Sequence, residues 1–247
     1  MTAFQFEVNG LDISAEFDEV DIEEVFIPLL RNLTKLQKQQ GRRIIAFLAA
    51  PPGSGKSTLV NYLEYLSRNT EGVKEIQGIG IDGFHYYNDY LNSHYVEKDG
   101  RQILMRSLKG TPCTFDVARL KDKLSKAVAE DVWWPLYSRQ KHDPEEDMVY
   151  VHKDIIILEG NYLLSPEEPW CQLYEYCDYS IFMTIDRDVL KKRLIDRKVM
   201  GGTDPQAATD HFKLVDGPDI DYVLDNHVEA DMTIMFDETN RIVKCEK

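Results

Sequence analysis

The stretch Ala50-Pro51-Pro52-Gly53-Ser54-Gly55-Lys56-Ser57-Thr58 decides the fold of this 247-residue chain. It follows a continuous apolar run, Ile44–Ala49, and precedes a segment with helical spacing at residues 59–67. A strand, a glycine-rich loop and a helix in this order are the context in which G-x-x-x-x-G-K-[ST] forms a phosphate-binding loop. Ala50 replaces the first glycine of the pattern, and its small size weakens the match only slightly.

Each residue type in the loop suits contact with phosphate oxygens. Glycines let backbone N–H groups turn inward without a Cβ atom in the way, and the next helix points its positive end at the same anion. Lys56 is expected to reach the β- and γ-phosphates, and Ser57 to offer its hydroxyl to Mg²⁺. The loop alone predicts only the binding of nucleotide phosphates; together with the motifs described below, the sequence predicts ATP and Mg²⁺ as cofactors. The predicted ATP-binding residues are Gly53, Ser54, Gly55, Lys56, Ser57 and Thr58.

Apolar runs alternate with helical patterns along the rest of the chain. Strands are predicted at residues 76–81, 155–158, 179–185 and 232–236, and residues 241–244 are a candidate partner for the last of them. Strands separated by helices favour a parallel sheet with helices on both faces. The predicted fold class is therefore α/β, a P-loop NTPase three-layer α/β/α sandwich with a mainly parallel sheet.

The first 40 residues are predicted to form an appendage on a main domain that spans residues 41–247. Residues 4–8 and 13–17 alternate apolar and polar side chains around Asn9-Gly10, which indicates a β-hairpin. Asp21, with Glu24 three residues later, resembles a capping box ahead of an apolar helix. The hairpin is also a candidate contact for a homodimer.

Charge and composition narrow the partners. A formal net charge of −14 disfavours nucleic acid and anionic membranes, because an acidic surface repels phosphate groups. A small anionic ligand stays compatible with it, since a basic pocket can lie inside an acidic shell. No apolar stretch approaches the ~20 residues that span a bilayer, and the N-terminus lacks the pattern of a signal peptide. The sequence thus predicts a cytoplasmic protein with a small-molecule substrate.

The segment IGIDGFH at residues 79–85 places Asp82 at the carboxyl end of a predicted strand. In open parallel sheets, ligands bind at these strand ends. Asp82 could accept the proton of an attacking hydroxyl while Mg²⁺ and Lys56 hold the phosphoryl group. The alternative is an aspartate that only caps a turn or holds a metal-bound water. The residues alone favour the two about equally.

Further motifs follow the loop in order. They read DGFH at 82–85, RSLKGTPCTFD at 106–116, PLYSR at 135–139 and ILEGNYLL at 157–164. This order resembles the superfamily of phosphoribulokinase, uridine kinase and bacterial pantothenate kinase. Within it, the chain is most similar to the bacterial nucleoside/nucleotide kinase branch with YggC-like and fructose-kinase-like proteins. The resemblance covers residues 44–237 and leaves the hairpin and first helix outside.

The resemblance implies an ATP-dependent kinase whose acceptor is a hydroxyl of a sugar, a nucleoside or a pantothenate-like acid. It implies that Asp82 is the catalytic base and that Glu159 holds a Mg²⁺-bound water. The alternative for Glu159 is a structural carboxylate bonded to the phosphate loop. Arg139 stands where pantothenate kinases have a histidine, so the acceptor is not inherited. The predicted metal-site residues are Ser57, Glu159 and Asp82. The predicted substrate-binding residues are His85, Arg106, Tyr137, Arg139, Asn161 and Tyr162.

Arg193 and Arg197 lie four residues apart in a predicted helix and so share a face. Kinases of the resembled family have a mobile lid whose basic residues close over the transferring phosphoryl group, which implies a lid at about residues 187–204. An arginine fork stays charged and matches phosphate oxygens. The alternative is a solvated basic face. The predicted catalytic residues are Asp82, Lys56, Arg197 and Arg193, with Arg197 the stronger of the two arginine candidates.

Two other functions compete with a kinase. The first is a nucleotide-binding regulatory P-loop protein without turnover. The second is a GTPase switch, which usually needs an N-K-x-D segment that this sequence lacks.

Overall fold

A computed structural model describes residues 2–8, 11–98 and 100–246 of the chain. The strands are β1 Thr2–Val8, β2 Leu11–Phe17, β3 Ile44–Ala49, β4 Ile76–Gly80, β5 Tyr95–Lys98, β6 Arg101–Leu104, β7 Val132–Ser138, β8 Asp143–Val151, β9 Ile155–Gly160, β10 Tyr179–Ile185, β11 Met232–Phe236 and β12 Ile242–Glu246. The α-helices are α1 Glu19–Asp21, α2 Ile27–Gln40, α3 Lys56–Asn69, α4 Asn88–Leu91, α5 Val117–Ala129, α6 Arg187–Met200, α7 Pro205–His211 and α8 Gly217–Asp225. Single π-helical turns lie at Ile22–Phe26 and Phe212–Asp216, and 3-10 helices at Asp82–Phe84, Met105–Leu108, Pro112–Thr114 and Trp170–Tyr176.

The central sheet has the strand order β12-β11-β10-β3-β9-β4. Its neighbouring strands are parallel except β11 and β12, which are antiparallel. Every residue of β3 is buried, as expected of a central strand that is covered on both faces. The mainly parallel sheet predicted from the apolar runs is confirmed, including the pairing of the last two strands.

Helices cover both faces of this sheet. Residues 44, 46 and 48 of β3 pack with α2, α3 and α6, whereas residues 45, 47 and 49 pack with α5 on the other face. Successive side chains of a strand point to opposite faces, so one strand contributes to two cores. The three-layer α/β/α sandwich is confirmed. Among the described residues, no helix is both long and apolar enough to cross a lipid bilayer.

The N-terminal hairpin forms as predicted, with Phe4 paired to Ala15, while its turn at residues 9–10 lies outside the described residues. The predicted helix cap at Asp21 is wrong. Asp18 caps the helix instead, accepting a hydrogen bond from Val20 N at 2.9 Å. Asp21 is buried, and its Oδ2 accepts a hydrogen bond from Ile242 N at 3.0 Å. The carboxylate therefore binds a distant part of the chain and does not cap the helix. A local sequence pattern does not reveal such a contact.

Helix α2 ends at Gln40 and is capped by Gly41, whose φ of +66° suits glycine. The apolar face of α2, with Leu29, Leu30 and Leu33, lies in the same core as β3. Hydrophobic burial therefore ties the N-terminal segment to the sheet. The division at residue 40 into appendage and domain stays a prediction.

Two antiparallel hairpins, β5–β6 and β7–β8, lie outside the central sheet. The β7–β8 hairpin reaches the carboxyl end of β4, where Trp134 Nε1 donates a hydrogen bond to Gly80 O at 2.9 Å. A Cβ atom on Gly83 would lie 2.3 Å from Pro135 O, so only glycine allows this approach. The hairpin is thereby seated against the loop that carries Asp82.

Candidate active site

The phosphate loop lies between β3 and α3, as its motif requires. Gly53 and Gly55 have φ values of +81° and +91°, in the left-handed region that favours glycine. Ser54 Oγ is buried and has no hydrogen-bond partner among the described residues. A buried polar atom without a partner is costly, and a phosphate oxygen in the loop would satisfy it. The loop therefore fits the triphosphate predicted for it.

The loop also contacts helix α6, which carries the predicted lid arginines. A Cβ atom on Gly53 would lie 2.9 Å from Leu194 Cγ. The absence of a side chain at position 53 thus lets α6 pack directly on the loop. Since Leu194 is buried, this contact belongs to the hydrophobic core.

A carboxylate and a hydroxyl meet at the start of α3. Ser57 Oγ, in the first turn of α3, donates a hydrogen bond at 2.6 Å to Oε1 of Glu159, which lies on β9. Burial raises the pKa of Glu159 and nearby Asp82 adds to the rise, while Lys56 and the Ser57 hydroxyl oppose it. The bond to the phosphate loop that was the structural alternative for Glu159 is present. Its predicted contact with a Mg²⁺-bound water stays a prediction.

The donor set suits Mg²⁺ rather than a transition metal. Ser57 and Glu159 offer oxygen atoms, and Mg²⁺ takes few protein ligands beside phosphate oxygens and water. The described part of the chain contains no group of three His, Cys, Asp or Glu side chains able to hold a metal by themselves. Ser57 and Glu159 would therefore hold the ion together with the nucleotide.

Asp82 opens the 3-10 turn that follows β4. It lines a cavity of about 190 Å³ together with Ser57, Glu159 and Tyr137. The structure therefore brings the predicted base, the predicted metal-site residues and one predicted substrate contact to a single cavity. These residues come from four separate segments of the chain, which the strand ends gather at one edge of the sheet.

His85 supports the Asp82 turn. Its Nδ1 lies 2.9 Å from Asp82 O, so the nitrogen donates to that carbonyl and the tautomer follows from this contact. The ring packs on Phe115 at 3.8 Å between centroids. Burial lowers the pKa of His85, although the nearby Asp82 carboxylate opposes this shift. The lowered pKa keeps the ring neutral. Its predicted contact with substrate stays a prediction.

Cationic side chains gather around Tyr137, which lines the same cavity as Asp82. Lys109 Nζ lies 4.9 Å from the centroid of the Tyr137 ring and donates to Asn88 Oδ1 at 2.8 Å. Burial lowers the pKa of Lys109 to about 8, and the neighbouring Arg106 charge contributes. Arg139 also acts on Tyr137, where it opposes the rise in pKa that burial causes. Sequence reasoning missed Lys109, although it lies inside the RSLKGTPCTFD motif.

Tyr162 contacts a buried carboxyl group that sequence reasoning also missed. The phenol oxygen lies 2.5 Å from both Gly110 O and Asp219 Oδ2. A phenol has one proton, so it can donate to the carbonyl only if Asp219 is protonated and donates to it. Burial raises the pKa of Asp219 to about 7, which fits this arrangement.

The neighbouring Asn161 differs from Tyr162 in its hydrogen bonding. Asn161 Oδ1 is buried without a hydrogen-bond partner among the described residues. Tyr162 is 1% exposed, with its hydroxyl already occupied. Of this predicted pair, Asn161 has an open acceptor for a ligand. Substrate contact by either residue stays a prediction.

The two arginines of α6 serve different parts of the site. Arg193 donates to Asn240 Oδ1 at 2.6 Å and lines a second cavity, of about 540 Å³, beside the phosphate loop. Arg197 lies near Asp82 and Arg139, and both the surrounding protein and the Arg139 charge lower its pKa. Its surface is still exposed to solvent, so the guanidinium stays charged. Helix α6 is confirmed, while closure of a lid stays a prediction.

Comparisons with known proteins agree with this geometry. The family model "Phosphoribulokinase / Uridine kinase family" matches residues 44–242. The chain is 42% identical over 235 residues to the uncharacterized protein YggC of Escherichia coli strain K12, with 95% of each chain covered. It is 27% identical to a pantothenate kinase of Levilactobacillus brevis, covering 85% of this chain and 70% of the other. The crystal structure of a provisionally assigned fructose transport system kinase from Silicibacter sp. TM1040 matches with a TM-score of 0.70 and 28% identity, covering 83% of this chain and 98% of that one.

Proposed function

The chain belongs to the phosphoribulokinase/uridine kinase family, and from that premise we propose that it transfers the γ-phosphoryl group of ATP to a hydroxyl of a small metabolite. Kinases of this family use ATP with Mg²⁺. The observation that carries the proposal is the cavity of about 190 Å³ at the Asp82 turn, which Ser57, Asp82, Glu159 and Tyr137 line together.

The residues divide the work of phosphoryl transfer. The loop N–H groups and Lys56 bind the phosphates, and Asp82 takes the proton of the acceptor hydroxyl as its oxygen bonds to the γ-phosphorus. The bond from the γ-phosphorus to the bridging oxygen breaks, and ADP leaves. Mg²⁺, when bound, would neutralise charge on the phosphates. Ser57 and Glu159 are the protein residues that would hold it. Arg197, on the Asp82 side of α6, adds a fixed positive charge near the transferred group.

The acceptor is proposed as a class. The relatives with named activities differ in what they phosphorylate, so a sugar, a nucleoside and a pantothenate-like acid are all included. Arg106, Lys109 and Arg139 favour acceptors that carry oxygen-rich or anionic groups over plain alcohols, because each brings a hydrogen-bond donor with positive charge.

A coupled assay for ADP tests the proposal. The purified protein is incubated with ATP and Mg²⁺ and with sugars, nucleosides and pantothenate one at a time, beside a Lys56→Ala variant. We expect ADP release that depends on the acceptor and is lost in the variant. A protein that binds ATP tightly but releases no ADP with any acceptor of the panel would instead be the regulatory alternative.

A further inference from the structure

We propose that the N-terminal hairpin is a working part of the nucleotide site, in which β2 forms the wall that contacts the nucleoside half of ATP. The hairpin lies outside the region that the family model matches, which begins at residue 44. The inference rests on the proposed function, since it takes the phosphate loop to hold the triphosphate of ATP.

The cavity beside the phosphate loop has two walls from opposite ends of the chain. It measures about 540 Å³, within the usual range for small-molecule sites. Residues 14–17 of β2 form one wall, and Thr239 and Asn240 belong to the other. The loop glycines Gly53 and Gly55 line the same cavity. A group that is attached to phosphates in the loop would therefore extend between the hairpin and the segment at 239–240.

Aromatic contacts fix the hairpin in this place. The Phe17 ring stacks on Tyr62 of α3 with centroids 4.0 Å apart and planes 13° apart. Phe4 of β1 packs on Tyr62 and Tyr65 at 4.7 and 4.6 Å. Helix α3 begins at Lys56 in the phosphate loop. The hairpin is thus anchored to the same helix whose N-terminus faces the phosphates.

The N-terminal segment also holds the opposite wall. Arg241 forms an ion pair with Asp18 at 3.2 Å, and Ile242 N donates to the buried Asp21. Asp18 follows β2 directly and Asp21 lies in α1, and their partners Arg241 and Ile242 follow Asn240 in the chain. The hairpin and the segment at 237–242 therefore form one assembly around the cavity, and not two independent loops.

The chemistry of the cavity matches a nucleoside. Its apolar lining comes from Ala15, Phe17, Leu59, Met183 and Phe236. Its polar lining comes from Ser14, Glu16, Thr58, Arg193, Thr239 and Asn240. A flat base with polar edges and a ribose with hydroxyl groups need this combination of apolar surface and a few hydrogen-bonding groups.

The internal contacts of the hairpin argue against a dimer surface as its main use. Phe17 is 5% exposed and belongs to the main core, and Phe4 packs against that core. The described apolar side chains of the hairpin are therefore packed against the core of the same chain.

Binding measurements with matched tryptophan variants test this inference. Ser14 and Gln5 pair directly across the hairpin, so their side chains lie on the same face, but only Ser14 lines the cavity. Affinities for ATP and for tripolyphosphate, which lacks a nucleoside, are measured for wild type, S14W and Q5W. We expect S14W to weaken ATP about tenfold or more while tripolyphosphate stays within about twofold, and Q5W to change neither. Thermal unfolding confirms that each variant is folded, and S14L replaces S14W if the larger residue prevents folding.

The outcomes separate the two proposals. If wild type binds ATP and S14W binds it equally well, the hairpin does not contact the nucleoside and the inference fails, while the kinase proposal stands. If wild type binds neither ATP nor tripolyphosphate, the proposed function itself fails. Wild-type affinity for ATP no higher than for tripolyphosphate would also overturn the inference, because the nucleoside would then gain nothing from the cavity.

Discussion

Asp219 and Tyr162 show how a single pair of residues can make stability depend on pH. The Tyr162 hydroxyl can form hydrogen bonds with both Gly110 O and Asp219 only when the Asp219 carboxyl group is protonated. Burial raises the pKa of Asp219 from its usual 3.8 to about 7. Between these values the native state holds a proton that the unfolded chain releases. This contribution to stability is complete near pH 4 and is lost as the pH rises through about 7.

Asp219→Asn is therefore expected to unfold at a higher denaturant concentration than wild type at pH 8, and to lose much of that advantage at pH 5. The amide keeps the shape and needs no proton, so the gain at pH 8 is roughly 1–4 kcal/mol. Urea unfolding at both pH values measures it, with Asp122→Asn on the exposed face of α5 as the control. Equal pH slopes for wild type and Asp219→Asn would contradict the protonation argument.

Asp82→Asn is expected to reduce turnover by about a hundredfold or more, since general base catalysis contributes that much. ATP affinity should stay within about threefold of wild type, because the amide preserves size and the phosphate loop is untouched. Steady-state ADP release and equilibrium ATP binding give the two quantities. Wild-type turnover in this variant would remove Asp82 from the mechanism.

Among single residues, the sequence predicted the phosphate loop well because all of its residues lie in one contiguous motif. The phosphate loop needs only residues 50–58 and a strand and helix beside them. Lys109 and Asp219 were missed because their significance arises from tertiary neighbours, Tyr137 for the first and Tyr162 for the second. The short-range pattern predicts a cap at Asp21. The prediction fails because the carboxylate instead binds Ile242 N, 221 residues away, and no short-range pattern reveals that partner.

At the level of elements, the contact between the phosphate loop and α6 makes a prediction about glycine. Gly53→Ala is expected to lower the free energy of unfolding more than Gly72→Ala does. Both positions have similar positive φ, +81° and +79°, so both variants bear similar backbone strain. Only at position 53 would the methyl group collide with Leu194, at 2.9 Å.

Denaturant unfolding and ATP binding distinguish the two glycine variants. We expect Gly53→Ala to lose about 1–3 kcal/mol more stability than its control, a usual range for overpacking, and to bind ATP more weakly. Gly72→Ala should bind ATP normally. Equal losses in both variants would mean that the loop and α6 are not packed tightly together.

Sequence predicted some elements better than others for a physical reason. Central strands such as β3 are apolar throughout, because both faces are covered, and their pattern is plain. The β7–β8 hairpin mixes buried, half-buried and exposed residues without regular alternation, and it was not predicted. Its place depends on the close approach to Gly83, which no local pattern records.

On the scale of the whole molecule, the hydrogen bond from Ile242 N to Asp21 joins the two ends of the chain. Asp21→Ala leaves this amide without its acceptor and is expected to lower the free energy of unfolding by about 1–3 kcal/mol. Glu24→Ala, at an exposed position in the same segment, is the control. Amide hydrogen exchange at Ile242 should accelerate in the first variant and stay unchanged in the second. Unchanged exchange in Asp21→Ala would contradict the contact.

That contact also has a consequence for how the protein is made. The ribosome releases the hairpin before the strand that carries Ile242, which follows some ten seconds or more later at about 5–20 residues per second. Until then the growing chain has only one wall of its large cavity, with Asp21 waiting for its partner. Nascent chains should therefore acquire their full affinity for ATP only after the strand that carries Ile242 has emerged, and a stalled chain that lacks this strand would bind ATP weakly however complete its phosphate loop.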